Sequence, residues 1–255
     1  MSTALSHYLD MIVVLAQKDF KVRYKNSALG FLWALLSPLA YMIILTLVFA
    51  FLLRVNIPNF PAWVLIGILI WRFFSVGTNQ GLSSIIGNAS LVNSVCLPRY
   101  VIVLSNNVAN FSGAALEFIV LLPLLVFLGV APTVYALLLP VVLVFEFVLI
   151  FGVSLALSSL SVKYRDLVQV WDICLQLGFF LSPIVYDASL IPQGYRFFYS
   201  LNPVTSLIES TRSILLFHQF PSPLNDLVMV ASIIIALSIG LLVFRRLERR
   251  FAEEL

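Results

Sequence analysis

Four ionisable side chains stand inside or beside long apolar runs of the sequence: Arg72, Glu117, Glu146 and Asp172. A charge in a bilayer core is expensive, so such residues pair with one another or face water. Two readings follow. Either Arg72 neutralises Glu117 or Glu146 as a structural pair, or the set forms a polar lining for a hydrophilic substrate. A proton-coupled carrier uses groups of the same kind. Outside this set, the types and spacings that perform covalent chemistry are missing. The chain has no G-x-x-x-x-G-K-[ST] loop to cradle nucleotide phosphates, no H-E-x-x-H and no G-x-S-x-G. Its two histidines, His7 and His218, are too few for a His-based site, and the aspartates form no D-x-D pair. No catalytic, metal-binding or cofactor-binding residue is assigned. Transport or scaffolding remains, and ATP-driven transport would need its motor in another subunit.

The elements that position these residues are membrane spans. The 255 residues are 61% hydrophobic and 11% charged, with a mean hydropathy of +1.05. Soluble domains are about 45–50% apolar and about 25% charged, so this chain cannot cover its surface in water. Cys96 and Cys174 stand far apart outside any metal-like spacing and read as unpaired packing residues. A net charge of +3 is too small to suggest nucleic acid. Residues 1–255 read as one all-α integral membrane domain.

A crossing helix needs about 20 apolar residues. Six segments qualify, at about 31–53, 61–81, 101–130, 135–160, 167–186 and 227–244, the fifth more polar than the rest. An even number puts both termini on one side. That side carries Lys18, Lys21, Arg23, Lys25, Arg99, Lys163, Arg165, Arg245, Arg246, Arg249 and Arg250; the other carries Arg54, Arg196 and Arg212. Positive loops stay in the cytoplasm, so both termini are read as cytoplasmic. The first run, within "RYKNSALGFLWALLSPLAY", is too long for a signal-peptide h-region and lacks an A-x-A-like site. It is a span.

Between the spans lie three unusual pieces. Across about 5–25, Leu5, Leu9, Ile12, Ala16 and Phe20 recur at helical spacing opposite Gln17, Lys21 and Lys25, the pattern of an amphipathic helix in the membrane interface. It serves as a topology anchor or flanks a cytoplasmic partner. In "GLSSIIGNASLVNSVCLPRY", Asn88 can cap a brief helix over 89–96 that Pro98 stops, either a docking helix or a plain connector. Residues at about 188–220 are too polar to span and too apolar for a solvated loop. Pro192 and Pro203 divide them into two short helices, expected as a re-entrant pair on the external side. Aromatic residues, among them Trp71, Phe74 and Tyr186, cluster toward that side; they belong to an interfacial belt, to packing, or to a surface on which sugar rings stack.

Three stretches carry a resemblance: "DFKVRYKNSALGFLWALLSPL" (19–39), "LPRYVIVLSNNVANF" (97–111) and "FFLSPIVYDASLIPQGYRFFYSLNPVTSLIESTRSILL" (179–216). Together they resemble permease subunits of type-2 ABC exporters that move lipid-linked polysaccharides such as O-antigen, teichoic acid and capsule. The likeness runs over nearly the whole chain. It implies two permease copies around a central channel, each docked to a separate ATP-binding subunit, with ATP and Mg²⁺ bound by that partner. Lys18 and Lys21 of the interface helix, with Asn88, Leu91, Val92, Pro98 and Arg99, would then receive the ATPase motion. Arg72, Glu117, Glu146, Trp71, Phe74 and Tyr186 become candidates for the channel lining, and Tyr195, Asn202, Pro203, Glu209 and Arg212 for an external gate. Gly67, Gly77 and Gly81 would allow close approach along the second span. The substrate implied is a polyprenyl-linked glycan, O-antigen foremost, crossing the inner membrane. The alternatives are a type-2 ABC exporter of a drug or small lipid, and a membrane-embedded glycan-modifying enzyme, which the missing acid, base and metal constellations disfavour. A proton-driven carrier, recognisable by activity that survives without an ATPase, comes last.

Overall fold

The computed structural model describes residues 2–24, 30–94, 98–192, 194–195, 199, 201–248 and 251. Expectations placed on Lys25, Cys96, Arg196, Arg249 and Arg250, and on the side chain of Val92, lie outside the described residues. The helices are α1 (Ser2–Tyr24), α2 (Leu32–Leu45), α3 (Phe60–Gly87), α4 (Ala89–Ser94) and α5 (Tyr100–Phe127). They continue with α6 (Leu139–Lys163), α7 (Leu167–Leu181), α8 (Pro203–Leu215) and α9 (Pro223–Leu247). A π-helical stretch, Thr46–Leu52, prolongs α2, and a 3₁₀ turn, Val134–Leu138, leads into α6. No strand occurs among the described residues.

Five helical stretches are long and apolar enough to cross a membrane: Leu32–Leu52, Phe60–Gly87, Tyr100–Phe127, Val134–Lys163 and Asn225–Leu247. The expected fifth span departs from this pattern. It was expected to reach Tyr186, but α7 stops at Leu181, giving 15 residues or about 22 Å at 1.5 Å per residue. The reason is local. Pro183 disfavours helical backbone in the residue before it, and Ser182 is extended at φ −99°, ψ 148°. The chain then continues as an irregular segment in which Ser182, Ile184 and Val185 are buried.

α3 is the central element, with most of its length buried and packed against α2, α5, α6, α7 and α8. It runs to Gly87, beyond the Gly81 suggested by hydropathy, because its last turns are buried although they are polar. Ser84 donates to the Gly81 carbonyl at 2.6 Å and Ser161 of α6 donates to the Leu82 carbonyl at 2.8 Å. Small residues bring the helices together there: a Cβ on Gly81 would strike Ser154, and one on Gly240 of α9 would strike the Gly152 backbone of α6. Without a hydrophobic drive between helices in lipid, this close approach is the source of packing energy.

The bundle has two ends. α1 packs along α5 and its Lys18 bonds Asn88, and Arg99 stands 5.5 Å over the Phe251 ring, so α1 and Phe251 meet the same end of α3 and α5. The residues at that end form a small core of Ile85, Ile102, Val103, Leu155, Val162, Phe244 and Phe251. At the opposite end, α8 buries Val204, Leu207, Ile208, Ile214 and Leu215 in the main core.

Candidate functional site

Three sets of residues expected to act in function fall in three places. The first is at the terminal end. Lys18 of α1 donates to Asn88 Oδ1 at 3.0 Å, and the Asn88 amide donates to the Ser84 carbonyl at 2.9 Å. Asn88 lies between the end of α3 and the start of α4, so this bond ties α1 to the α3–α4 corner. The Leu91 N–H donates to the Asn88 carbonyl at 2.9 Å and closes the first turn of α4. Pro98 and Arg99 are half-buried, Arg99 over the Phe251 ring, whereas Lys21 is exposed.

The second set lies at membrane depth. Arg72 Nε donates to Glu117 Oε1 at 3.3 Å, the pair sitting between α3 and α5. Glu146 is apart from it and fully buried. Around the pair is a cavity of about 290 Å³ lined by Arg23, Trp33, Arg72, Gln80, Asn110 and Glu117, among others. On the other side of Arg72 an open groove of about 540 Å³ runs between α2, α3 and α7, where Tyr41, Trp71, Ser75, Asp172, Gln176 and Phe179 face it. Glu146 lines neither. Polar bonds hold α7 to α3 along the groove: Asn79 donates to Asp172 at 2.7 Å, and the Trp171 indole N–H to the Thr78 hydroxyl at 3.1 Å. Trp71 and Phe74 are buried within an aromatic cluster, with Trp71 edge-on to Phe179 at 6.2 Å and Phe74 at 6.5 Å from Trp171. Tyr186 donates to the Phe180 carbonyl at 3.0 Å and lies 6.4 Å from the Tyr199 ring.

The third set is at the far end. Asn202 accepts the Val204 N–H at 3.1 Å and donates to Ser182 at 3.2 Å, so it caps α8 and holds the broken end of α7. Pro203 occupies the first helical position, where its missing N–H costs nothing. Arg212 is 1% exposed. Its guanidinium donates to the carbonyls of Pro183 at 2.5 Å, Ile184 at 3.0 Å and Trp63 at 3.1 Å, and stacks 3.8 Å from the Trp63 ring. Burial pulls its pKa down to about 9, against the raising influence of Glu209, so it stays cationic at neutral pH. Burial raises the Glu209 carboxyl, opposed by Arg212, and Asn225 donates to it at 3.0 Å. Tyr195 is exposed.

The sequence marks Arg23 as a topology charge and Trp63 as one of the aromatics of a belt, of packing or of a sugar-stacking surface. The first belongs to the cavity: Arg23 donates to Gln80 Oε1 and, at 3.5 Å, to Asn110 Oδ1. Its partners lie 57 and 87 residues away in sequence, beyond any local pattern. Gln80 and Asn110 themselves carry a weak signal, as amides within apolar runs.

Long apolar helices around a polar cavity and groove are the architecture of a multi-span membrane protein. Residues 11–216 match the ABC-2 type transporter family, and the chain belongs to that family. It is 32% identical to an O-antigen export system permease protein of Klebsiella pneumoniae, covering 98% of this chain and 96% of the relative. A second such permease, from Myxococcus xanthus, is also 32% identical, over 98% and 97% of the two chains. A polysialic acid transport protein of Escherichia coli is 25% identical over 91% of each.

Proposed function

We propose that this chain is the channel subunit of an ATP-driven exporter that moves a polyprenyl-linked polysaccharide, O-antigen foremost, across the cytoplasmic membrane. The observation that carries the reading is the end-to-end similarity to two O-antigen permeases, with almost no length unmatched in either direction. Full coverage favours a shared task over a shared fold fragment, and the matched relatives carry glycans, which weighs against a drug or a small lipid.

Six spans complete the topology, the sixth being α7 with the extended segment that follows it. About 22 Å of helix and a few extended residues at about 3.3 Å each cover the hydrocarbon. Irregular backbone at that depth is tolerated where protein buries it. Both termini then lie in the cytoplasm. Two copies pair across the α2–α3–α7 groove, and each receives a separate ATPase, which holds ATP and Mg²⁺, on the corner formed by α1 and α4. The α8 segment and its neighbours shape the external mouth.

Affinity purification of the tagged chain from its own host, in mild detergent, tests the assembly. The expected result is a stoichiometric Walker-motif partner with ATPase activity. Recovery of the chain without any ATPase, while export in cells follows the proton gradient, would replace this reading with a carrier.

A further inference from the structure

The cavity beside Arg72 has the chemistry of an anion site. Two guanidiniums, Arg23 and Arg72, and one carboxylate, Glu117, line it, leaving a surplus of positive charge. Glu117 is engaged by Arg72 at 3.3 Å. Arg23 donates to the neutral amide oxygens of Gln80 and Asn110, and among the described residues no carboxylate comes within ion-pair distance of it. A guanidinium has five donors in a planar fork, so both arginines keep capacity for a further acceptor. The Gln80 side chain can also turn its N–H group toward an anion, whereas the Asn110 amide donates to the Phe73 carbonyl at 3.2 Å and stays fixed. The volume, about 290 Å³, lies just below the range of ligand pockets, about 300–1,000 Å³.

Position narrows the ligand. Arg72 lies about 18 Å along α3 from its start at the far end, and Gln80 about 12 Å further toward the terminal end. The cavity therefore leads from the end where α1 lies, past the start of α2, toward the middle of the membrane. Trp33 and Ala34 of α2 give it an apolar wall beside the charged one. A charged head with an attached hydrocarbon chain fits such a two-sided site. Guanidinium forks match phosphate oxygens in geometry and bind them with short, charge-assisted hydrogen bonds.

We infer that Arg23 and Arg72, with Gln80 and Asn110, form a binding site for the phosphate or pyrophosphate head of a lipid, and that Glu117 offsets part of the Arg72 charge that the head meets. The assignment of that head to the transported substrate rests on the function proposed above; the site itself does not.

Equilibrium binding to the full-length protein, in nanodiscs of phosphatidylcholine, tests the site. The probe is a radiolabelled short-chain prenyl pyrophosphate. Saturable binding is expected, with competition by inorganic pyrophosphate. Arg23→Gln is expected to weaken it at least tenfold, the loss of one charged hydrogen-bonding partner. Glu117→Gln removes the opposing charge and is expected to tighten it severalfold, a gain that a purely structural Arg72–Glu117 pair would not give. Arg23 is half-buried on α1, so its variant leaves the helix bundle assembled; Arg72→Lys, which keeps the charge and loses the fork, is expected to weaken binding as well. Competition by phosphatidylglycerol would assign the site to bulk phospholipid, and its absence to the pyrophosphate-bearing lipid; either supports a lipid-phosphate site. Unchanged affinity in both Arg23→Gln and Arg72→Lys, or weaker binding in Glu117→Gln, would overturn it. Because no nucleotide turnover is read, this failure is separable from failure of the exporter assignment.

Discussion

Arg212 illustrates how one buried cation can be a backbone device. A helix that breaks at membrane depth leaves carbonyls without partners, and each buried orphan costs about 1–3 kcal/mol. α7 breaks at Leu181, and Arg212 donates to the Pro183 and Ile184 carbonyls that follow. Gly67 makes the space: a Cβ there would lie 3.0 Å from the Arg212 guanidinium and 3.1 Å from the Ile184 Cα. The charge is spread over several carbonyl dipoles and the face of Trp63, which suits a weakly hydrated guanidinium better than an ammonium. Arg212→Lys keeps the charge and loses the fork. It is therefore expected to cost roughly 2 kcal/mol or more, read as a fall of several degrees in the melting midpoint of the detergent-solubilised protein. A midpoint equal to the parent's would show that the carbonyls need no fork.

At the scale of elements, α4 is a short helix between α3 and α5. What fixes it is the corner at Asn88, whose side chain bonds Lys18 of α1 and whose carbonyl accepts from Leu91. Under the proposed assembly that corner transmits ATPase motion to α3 and α5. Leu91→Pro removes the N–H that closes the first turn and breaks α4, leaving the long spans untouched. ATP hydrolysis by the complex is expected to persist while export falls at least tenfold, measured by surface glycan in cells and by phosphate release from the purified complex. Normal export would rule out α4 as the coupling element. Five long apolar stretches were legible because burial in lipid leaves a run of about 20 apolar residues. The shortness of α7 was not, since hydropathy sums over Ser182–Tyr186 as it does over helix and the break at Pro183 is a backbone effect. The extra turns of α3 were hidden for the converse reason: Ser84 looks exposed in sequence but is buried and bonds the Gly81 carbonyl. Contacts such as Arg212 with Trp63, 149 residues apart, have no local trace at all.

For the whole molecule, the decisive feature is a groove that cannot face lipid. Arg72, Ser75, Asp172 and Gln176 open onto it, yet lipid-facing polar groups at membrane depth are costly. Two of its flanking helices are little covered: α7 has no buried residue, and α2 buries Ala34 and Pro38 alone. A second copy set against this face would turn the groove into one wall of an aqueous passage, with Tyr41, Trp71 and Phe179 along it. α9 is exposed on a different face, where Ile234 is 57% exposed and would contact lipid. The two faces can be told apart by water. In a variant with Cys96 and Cys174 replaced by serine, Gln176→Cys is expected to react with a water-soluble maleimide at least tenfold faster than Ile234→Cys in intact membranes. Equal, slow labelling at both positions would place the groove against lipid and leave the paired channel without support. Fast labelling at Gln176 that is slowed when substrate export is stalled would locate the glycan in the same passage.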